Sequence, residues 1–193
     1  MSQPNPLVEI RFRVPFDQIR AEHIEPAVDE LIEDSCARLE AISSSEAPRT
    51  FDNTMGALDR MTERLDFAMS VVRHLEGVAT TPELRAAHNA VQPKASAFYS
   101  SIPLHSGLWK AIKAYAETGE ARQWTGPRRR FLDKTIESFR RHGADLDQAG
   151  KKRLEEIDVE LATITTKFSE NVLDSTNAFE LVITPALLLT TAR

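Results

Sequence analysis

The five histidines are the side chains whose spacing is most informative here, because imidazole is a common metal ligand and general base. A helical zinc peptidase site needs two histidines four residues apart, with a glutamate directly after the first. The residues that follow the five histidines are isoleucine, leucine, asparagine, serine and glycine, so this motif is absent. The histidines are His23, His74, His88, His105 and His142. We expect them to lie on the surface or to take part in packing.

The serines and arginines offer no better site. No serine has the flanking glycines of a nucleophile elbow, and no glycine-rich loop is present to bind a phosphate. A basic cluster, Arg128–Arg130 with Arg140 and Arg141, shares its helix face with the acidic residues Asp133 and Glu137. Such mixed charge is typical of a solvated face rather than an anion site. Glu76 is two residues from His74, so the two point to different helix faces and do not share a metal.

Aromatic residues and the single cysteine also favour structural roles. The aromatic candidates for a binding groove are Trp109, Tyr99, Tyr115 and Trp124. Helical spacing predicts core or half-buried packing for the first three. Cys36 falls near the apolar side of a predicted helix, which predicts a buried small hydrophobe rather than a reactive thiol. We therefore predict no catalytic, metal-binding or cofactor-binding residue in this chain.

The composition excludes several classes of partner. The chain has 193 residues with 24 basic and 29 acidic side chains, a formal net charge of −5 that does not attract nucleic acid. No apolar run is long enough to span a membrane, and residues 1–6 are polar and proline-containing rather than a signal peptide. One cysteine permits no internal disulfide and fits a reducing compartment. We expect a cytoplasmic protein with neither a nucleic acid nor a membrane as partner.

The segment from Asp147 to Asn177 carries the longest apolar stripe and is predicted to organise the fold. Leucine, isoleucine, phenylalanine and valine recur there every three or four residues, which places them on one side of a helix. The stripe consists of Leu154, Ile157, Leu161, Ile164, Phe168 and Val172. Since burial of such side chains is worth about 1.5–3 kcal/mol each, we expect the upstream helices to cover this stripe. Asp147 is the expected N-cap.

Upstream, apolar periodicity predicts five further helices, which makes about six in a bundle-like, all-α array. They cover residues 22–42, 54–79, 81–102, 106–118 and 126–143. The helix over residues 54–79 is expected to pair with the final one, and Pro93 is expected to kink the third. Thr81 and Pro82 begin that third helix, while Gly143 ends the fifth. Asp52 or Asn53 is predicted to cap the second.

The two ends of the chain are predicted to be extended. Residues 1–18 combine three prolines with a partly alternating apolar pattern, which indicates an extended arm laid on a surface. Residues 179–183 read as a short strand with no partner strand elsewhere in the sequence. The predicted organisation is one helical domain over residues 1–193: an arm at 1–18, a helical array at 22–178, and a terminal strand.

Five sequence strings run in order across nearly the whole chain. They are FDQIRAEHIEPA at residues 16–27, TFDNT at 50–54, HLEGVATTPELRAA at 74–87, FRRHGADL at 139–146 and FSENVLDSTNAFELVIT at 168–184. Together they resemble the N-terminal part of the M3 family of zinc oligopeptidases, and the last string is the most specific. The resemblance implies a cytoplasmic peptidase that cleaves short peptides inside a channel, one wall of which is built by N-terminal helices.

The resemblance assigns catalysis to residues that this sequence lacks. In the family, zinc is held by a HExxH helix and a later glutamate, and no residue here matches them. We expect a channel-wall region that is not catalytic by itself, with zinc only in a full-length parent. Its partners would be the parent's catalytic half or short peptides. The alternative is a free-standing helical module that binds peptides or a protein, with a homodimer through an exposed apolar face as its sign.

Overall fold

The structure is a computed structural model that describes residues 5–180, and these residues are mainly α-helical. The helices are α1 (Ile24–Ser44), α2 (Gly56–Met61), α3 (Glu63–Ala79), α4 (Pro82–Leu104), α5 (Ser106–Ala116), α6 (Gly119–Gln123), α7 (Gly126–Arg141) and α8 (Gln148–Asn177). A 3-10 turn at Ala21–His23 precedes α1, and a π-helical turn at Phe51–Met55 leads into α2. No strand occurs between residues 5 and 180, so the all-α prediction is confirmed.

Helix capping explains most of the boundaries. The Asp147 side chain accepts a hydrogen bond from the Gly150 amide at 2.8 Å, as predicted for the start of α8. Thr81 caps α4 in the same way, with Pro82 in the first turn. Gly143 has φ +91°, a left-handed conformation that suits glycine after the end of a helix. Thr50, rather than Asp52 or Asn53, caps the segment before α2, and the Asn53 side chain bonds back to it.

Two boundaries differ from the sequence prediction. The helix expected over residues 54–79 is interrupted at Thr62, which has φ −103° and ψ 0° and donates its hydroxyl to Asp66 at 2.8 Å. The sequence does not indicate this break, because the apolar spacing continues across it. It does not predict the short helix α6 either; the N-cap of this helix is Thr118, which accepts from the Ala121 amide. Few apolar residues mark so short a helix.

Two groups of buried side chains form the core of the described residues. The first lies between the N-terminal half of α1, α3 and α4. The second lies between the C-terminal half of α1, α2, α5 and α7. The stripe predicted on α1 is buried except at Cys36, which is exposed, so the prediction of a buried thiol is wrong. Ser35 takes the buried position instead and donates its hydroxyl to the Leu31 carbonyl at 2.7 Å.

Helix α8 does not organise this core. None of its residues is fully buried, and it packs on α4 rather than on α3 as predicted. Its half-buried line is Asp158, Ala162, Thr166 and Glu170, where each four-residue step turns 40° around the helix. The apolar stripe therefore lies on a different side, and the prediction that the upstream helices cover it is wrong.

The arm is irregular and packs partly on its own chain. Residues 5–20 contain turns and bends but neither helix nor strand. Leu7 and Ile19 are buried in the first core group, whereas Phe12 is fully exposed. At the other end, Phe179 and Glu180 form no strand, and the rest of the predicted strand at 179–183 lies outside the described residues. No helix among the described residues has the length and apolar character to cross a membrane.

Candidate functional site

A groove between α3, α4 and α8 is the candidate site. It encloses about 740 Å³ and is open to solvent along α8. Residues from all three helices line it, and most of these residues are of polar types. The lining residues include Glu76, His88, Asn89, Gln92 and Glu170. Its walls are positioned by the first core group, in which Val72 of α3 and Val91 of α4 are fully buried. We call this the α4–α8 groove.

The floor of the groove is a polar seam between antiparallel helices. At one end, the Arg85 guanidinium contacts the Asp174 carboxylate at 3.2 Å. One turn further, the Asn89 amide donates to the Glu170 carboxylate. At the other end, the Lys151 ammonium donates to the carbonyl of Leu104 at 3.0 Å. Polar contacts specify the register of two helices more than they stabilise the pair, so α8 is aligned on α4 without a shared apolar core.

Gln92 lies in the middle of this seam and has a free acceptor. Its Oε1 atom is buried and has no hydrogen-bond partner, the sole such side-chain atom detected between residues 5 and 180. A buried polar atom without a partner costs about 1–3 kcal/mol. The atom borders the α4–α8 groove, so a ligand with an N–H donor would supply the missing bond. In the sequence, the feature that indicates this seam is the helical spacing of the polar residues 85, 89, 92 and 96 on α4.

The groove carries both signs of charge but no catalytic arrangement. The carboxylates of Glu76 and Glu170 are mostly shielded, with side-chain exposures of 18% and 19%. The Glu76 carboxylate lies 3.7 Å from the Arg85 guanidinium. His88 and His142 also line the groove. The Nδ1 atom of His142 lies 3.4 Å from the Ser138 hydroxyl, but it donates to the Ser138 carbonyl at 2.7 Å and so cannot take the hydroxyl proton as a base. The arrangement suits binding of a ligand with both polar and charged groups.

A second feature is the uncovered apolar stripe of α8. Its residues from Ile157 to Val172 are exposed by 36% to 67%, with Phe168 the most exposed. Leu154, at its start, is half-buried beside Gly143. Contiguous exposed apolar residues on a soluble protein mark an interaction surface. The exposed part of this surface, which we call the stripe, consists of Ile157, Leu161, Ile164, Phe168 and Val172.

The histidines serve mainly as local structural groups. His105 caps α5 by accepting from the Leu108 amide at 3.1 Å, and its other nitrogen lies 3.2 Å from Glu40. His23 accepts from the Arg20 amide, while the His74 ring packs near the ring of Phe16. No group of three or more histidine, cysteine or acidic side chains in residues 5–180 is close enough to bind a metal. The described residues thus offer no ligand set that fits zinc.

The aromatic residues pack as the sequence predicted. Trp109 and Tyr115 are buried, and Tyr99 is half-buried. The Trp109 ring stacks on Phe139, and its indole N–H donates to Asp145 at 3.0 Å. Burial, and secondly the hydrogen bond that the phenol donates to Asp66, raise the pKa of Tyr99. None of these rings lines the groove.

The basic cluster is exposed, as predicted, and two of its five arginines pair with acidic neighbours on their own helix. Arg129 contacts Asp133 at 2.9 Å, and Arg141 contacts Glu137 at 2.6 Å. Arg128 differs, because its guanidinium lies over the rings of Phe51 and Trp124, at 4.7 and 4.1 Å from their centroids. That contact joins residues 77 positions apart in the chain, and helical periodicity gave no signal of it.

Comparison with known proteins finds relatives along almost the whole chain. Residues 28–152 match the family described as "Neurolysin/Thimet oligopeptidase, N-terminal domain". The chain is 32% identical over 183 residues to oligopeptidase A of Haemophilus influenzae, covering 95% of this chain and 27% of that protein. It is 33% identical over 180 residues to organellar oligopeptidase A, chloroplastic/mitochondrial, of Arabidopsis thaliana, covering 93% and 23%.

A more distant relative extends the same pattern. Dipeptidyl carboxypeptidase of Salmonella typhimurium is 27% identical over 186 residues, covering 94% of this chain and 27% of that protein. The chain therefore spans about a quarter of the length of the relatives that it matches.

Proposed function

Because the chain belongs to the neurolysin/thimet oligopeptidase family and matches its N-terminal domain, we propose that it forms a helical wall of a zinc oligopeptidase that hydrolyses short peptides. The match over residues 28–152 carries this proposal. In this role the helices restrict access to small unfolded peptides, and the zinc chemistry belongs to a catalytic half. The single cysteine supports a cytoplasmic location, because such a chain needs no oxidising compartment.

The wall is not catalytic by itself. None of the five histidines is placed in a HExxH motif, and the described residues provide no zinc ligand set. The His142 nitrogen nearest the Ser138 hydroxyl donates to the Ser138 carbonyl, so this pair does not act as a nucleophile and its base. The test is to incubate the purified 193-residue chain with a quenched fluorescent peptide and added zinc. We expect no hydrolysis above that in buffer. Zinc-dependent hydrolysis that persists through repurification would overturn this part of the proposal.

The proposed role as a wall of the peptidase is tested by a domain exchange. Residues 5–180 of this chain would replace the matching segment of Haemophilus influenzae oligopeptidase A, the relative at 32% identity. We expect the chimera to hydrolyse short peptides and to reject a folded protein substrate. A chimera that folds, as judged by circular dichroism and a single thermal transition, but has no peptidase activity would contradict the wall role.

Within the wall, we propose that the α4–α8 groove contacts the backbone of a peptide. The unpartnered Gln92 acceptor suits a peptide N–H, and the carboxylates of Glu76 and Glu170 suit its amino group. Gln92→Met keeps the side-chain length but removes the acceptor. We expect this variant to bind a fluorescein-labelled octapeptide several-fold more weakly, as followed by fluorescence anisotropy, while its stability rises by about 1 kcal/mol because an unsatisfied buried group is removed.

The matched control for Gln92→Met is Lys94→Met, on the same helix but exposed and outside the groove. It removes the contact of Lys94 with Asp29 at 2.8 Å and should leave peptide binding unchanged. Equal binding by the wild type and Gln92→Met would refute the groove as the peptide contact. A loss of stability in Gln92→Met would show that Gln92 already has a partner in solution.

A second candidate function is a free-standing helical module that binds another protein. The observation that favours it is the stripe of α8, which no other helix of the described residues covers. The test is to pass the chain over an immobilised catalytic part of oligopeptidase A and to compare the wild type with Phe168→Ser. Binding that depends on Phe168 assigns the stripe to the catalytic half. If the chain does not bind the catalytic part, the second candidate, a free-standing helical module with another protein as its partner, is retained.

A further inference from the structure

Charges of alternating sign line the α4–α8 groove. The shielded carboxylates of Glu76 and Glu170 lie toward the end where α4 begins. Arg73 also lines the groove, and it forms neither an ion pair nor a hydrogen bond with any other residue between 5 and 180. The half-buried Asp158 lines the opposite end. All three walls of the groove are helices of this chain, so these charges have fixed positions relative to one another.

Contacts between α3 and α4 set the order of these groups. The Glu76 carboxylate lies 3.7 Å from Arg85, and the Asp66 carboxylate accepts a hydrogen bond from Tyr99 at 2.6 Å. The two helices are therefore antiparallel. Gln92 is midway between residues 85 and 99 on α4. Its buried, unpartnered acceptor thus lies between the Glu76 end of the groove and the Tyr99 end.

The guanidinium of Arg73 lies on the Tyr99 side of Glu76. Arg73 is three residues from Glu76, and side chains on a helix lean toward its N-terminus, which here is the direction of Tyr99. Burial raises the pKa of Tyr99, and the positive charge of Arg73 acts against that rise, which agrees with this placement. One turn of helix and the length of the arginine side chain together separate the Glu76 carboxylate from the Arg73 guanidinium by about 10 Å.

The carboxylate end of the groove retains one negative charge. Three carboxylates lie there, those of Glu76, Glu170 and Asp174. Two cations contact them: Arg85 lies 3.7 Å from Glu76 and 3.2 Å from Asp174, and Lys167 lies 3.5 Å from Glu170. One further positive charge would balance this end, while Arg73 has no counter-ion among residues 5–180. A ligand that complements both has one cation and one anion about 10 Å apart.

We propose that the α4–α8 groove binds a short peptide by both of its ends, and that a tripeptide fits it best. The ammonium group lies at the carboxylates of Glu76 and Glu170, and the terminal carboxylate lies at Arg73. An amide N–H between them donates to the Oε1 atom of Gln92. Three extended residues span about 10 Å, which matches the separation of the charges. This inference rests on the proposed peptide contact of the groove and adds the length and direction of the peptide.

Asp158 disfavours longer peptides. It is twelve residues before Glu170 on α8, which corresponds to about 18 Å along the helix. Five extended residues span about the same distance. The carboxylate of a pentapeptide whose ammonium group lies at Glu170 would therefore approach the carboxylate of Asp158, and like charges reject such a ligand. The groove selects peptides by length as well as by their terminal charges.

The test is isothermal titration calorimetry of the 193-residue chain with trialanine at pH 7. We expect a dissociation constant of about 0.3 mM, as for a ligand of this size with ordinary efficiency. N-acetyl-trialanine and trialanine amide each lack one terminal charge and should bind about tenfold more weakly, because charge-assisted contacts are lost. Pentaalanine should bind about fivefold more weakly than trialanine.

Two variants assign the terminal charges to their partners. Arg73→Met should weaken trialanine about tenfold but leave trialanine amide unchanged, since the amide has no carboxylate to lose. Glu170→Gln keeps an acceptor for Asn89 and should weaken trialanine but not N-acetyl-trialanine. The matched control is Arg122→Met, an exposed arginine on α6 outside the groove, which should bind trialanine like the wild type.

A third variant tests the selection by length. Asp158→Asn removes the charge at the far end of the groove and should raise the affinity for pentaalanine about fivefold. It should leave trialanine binding unchanged, because the tripeptide ends at Arg73. Circular dichroism of each variant before titration shows that its helix content equals that of the wild type.

Several results would overturn the proposal. Trialanine binding that is indifferent to both caps would do so, and so would equal weakening of trialanine and its amide by Arg73→Met. If the octapeptide binds in a Gln92-dependent manner but trialanine does not bind, the inference fails and the proposed peptide contact stands. If neither peptide binds, both fail.

Discussion

The exposure of the stripe predicts that truncating Phe168 hardly affects the stability of the monomer. Phe168 is 67% exposed, so about a third of its side chain is shielded. Full burial is worth about 1.5–3 kcal/mol, which leaves about 0.5–1 kcal/mol here. Alanine recovers roughly 0.5 kcal/mol through its higher helix propensity. The expected net change in the free energy of unfolding for Phe168→Ala is therefore within about 0.5 kcal/mol.

The matched comparison is Leu65→Ala in α3. Leu65 is fully buried in the first core group, and such truncations cost about 2–5 kcal/mol. Urea unfolding followed by circular dichroism measures both variants. The protein is kept dilute so that no association adds to its stability. For a chain of this size, each kcal/mol corresponds to about 2–4 °C in Tm, so the two variants should differ clearly in a thermal scan as well.

One result would refute this reasoning. If Phe168→Ala lowers the free energy of unfolding of the dilute monomer by more than about 2 kcal/mol, the loss is typical of a core truncation, and the stripe is then buried in solution. The sequence-based expectation that the stripe is covered by the chain itself would then be correct.

Three further predictions test other parts of the structure. Tyr99→Phe should lower the free energy of unfolding by about 1 kcal/mol at neutral pH. Because the pKa of Tyr99 is raised in the folded protein, the wild type loses stability as the pH rises above about 10, and the variant should lose less. Urea titrations at two pH values would measure both effects. Maleimide should label Cys36 fully in the folded protein, but more slowly than free cysteine, because partial burial and Glu40 raise the pKa of the thiol. Gly143→Ala should destabilise the protein by about 1–3 kcal/mol in thermal unfolding, because an added Cβ at φ +91° would lie 2.8 Å from Leu154.

Each of these has a control or an opposing result. Gly77→Ala is the matched control for Gly143→Ala, since nothing lies within 4 Å of an added Cβ inside α3, and it should stabilise the helix by about 0.5–1 kcal/mol. Equal effects of the two alanine substitutions would contradict the left-handed turn. Labelling of Cys36 only after unfolding would show that the thiol is buried. An unchanged alkaline loss of stability in Tyr99→Phe would mean that the phenol ionises freely.

The local elements followed largely from the sequence. Apolar spacing located the long helices, and the caps at Thr81 and Asp147 formed where their residue types predicted. These features depend on interactions within a few residues, which a sequence displays directly. The family was likewise readable, because the strings that resemble it lie in order along the chain and the match over residues 28–152 confirms it.

The candidate site could not be predicted from the sequence in the same way. The polar seam joins Asn89 to Glu170 across 81 residues, and the buried acceptor of Gln92 exists only once α8 lies on α4. Cys36 and Ser35 differ by one position on α1, and tertiary packing decided which of them is buried. Periodicity gives the side on which a residue lies but not what lies opposite.

Helix α8 shows the limit most clearly. The sequence alone determined that it is a long helix with one apolar stripe, because that follows from residue spacing. Only the tertiary structure decided that α4 contacts a polar side of it and that the stripe stays uncovered among the described residues. The physical reason is that apolar burial is non-directional: a stripe requires some cover, but its sequence does not specify which surface provides it.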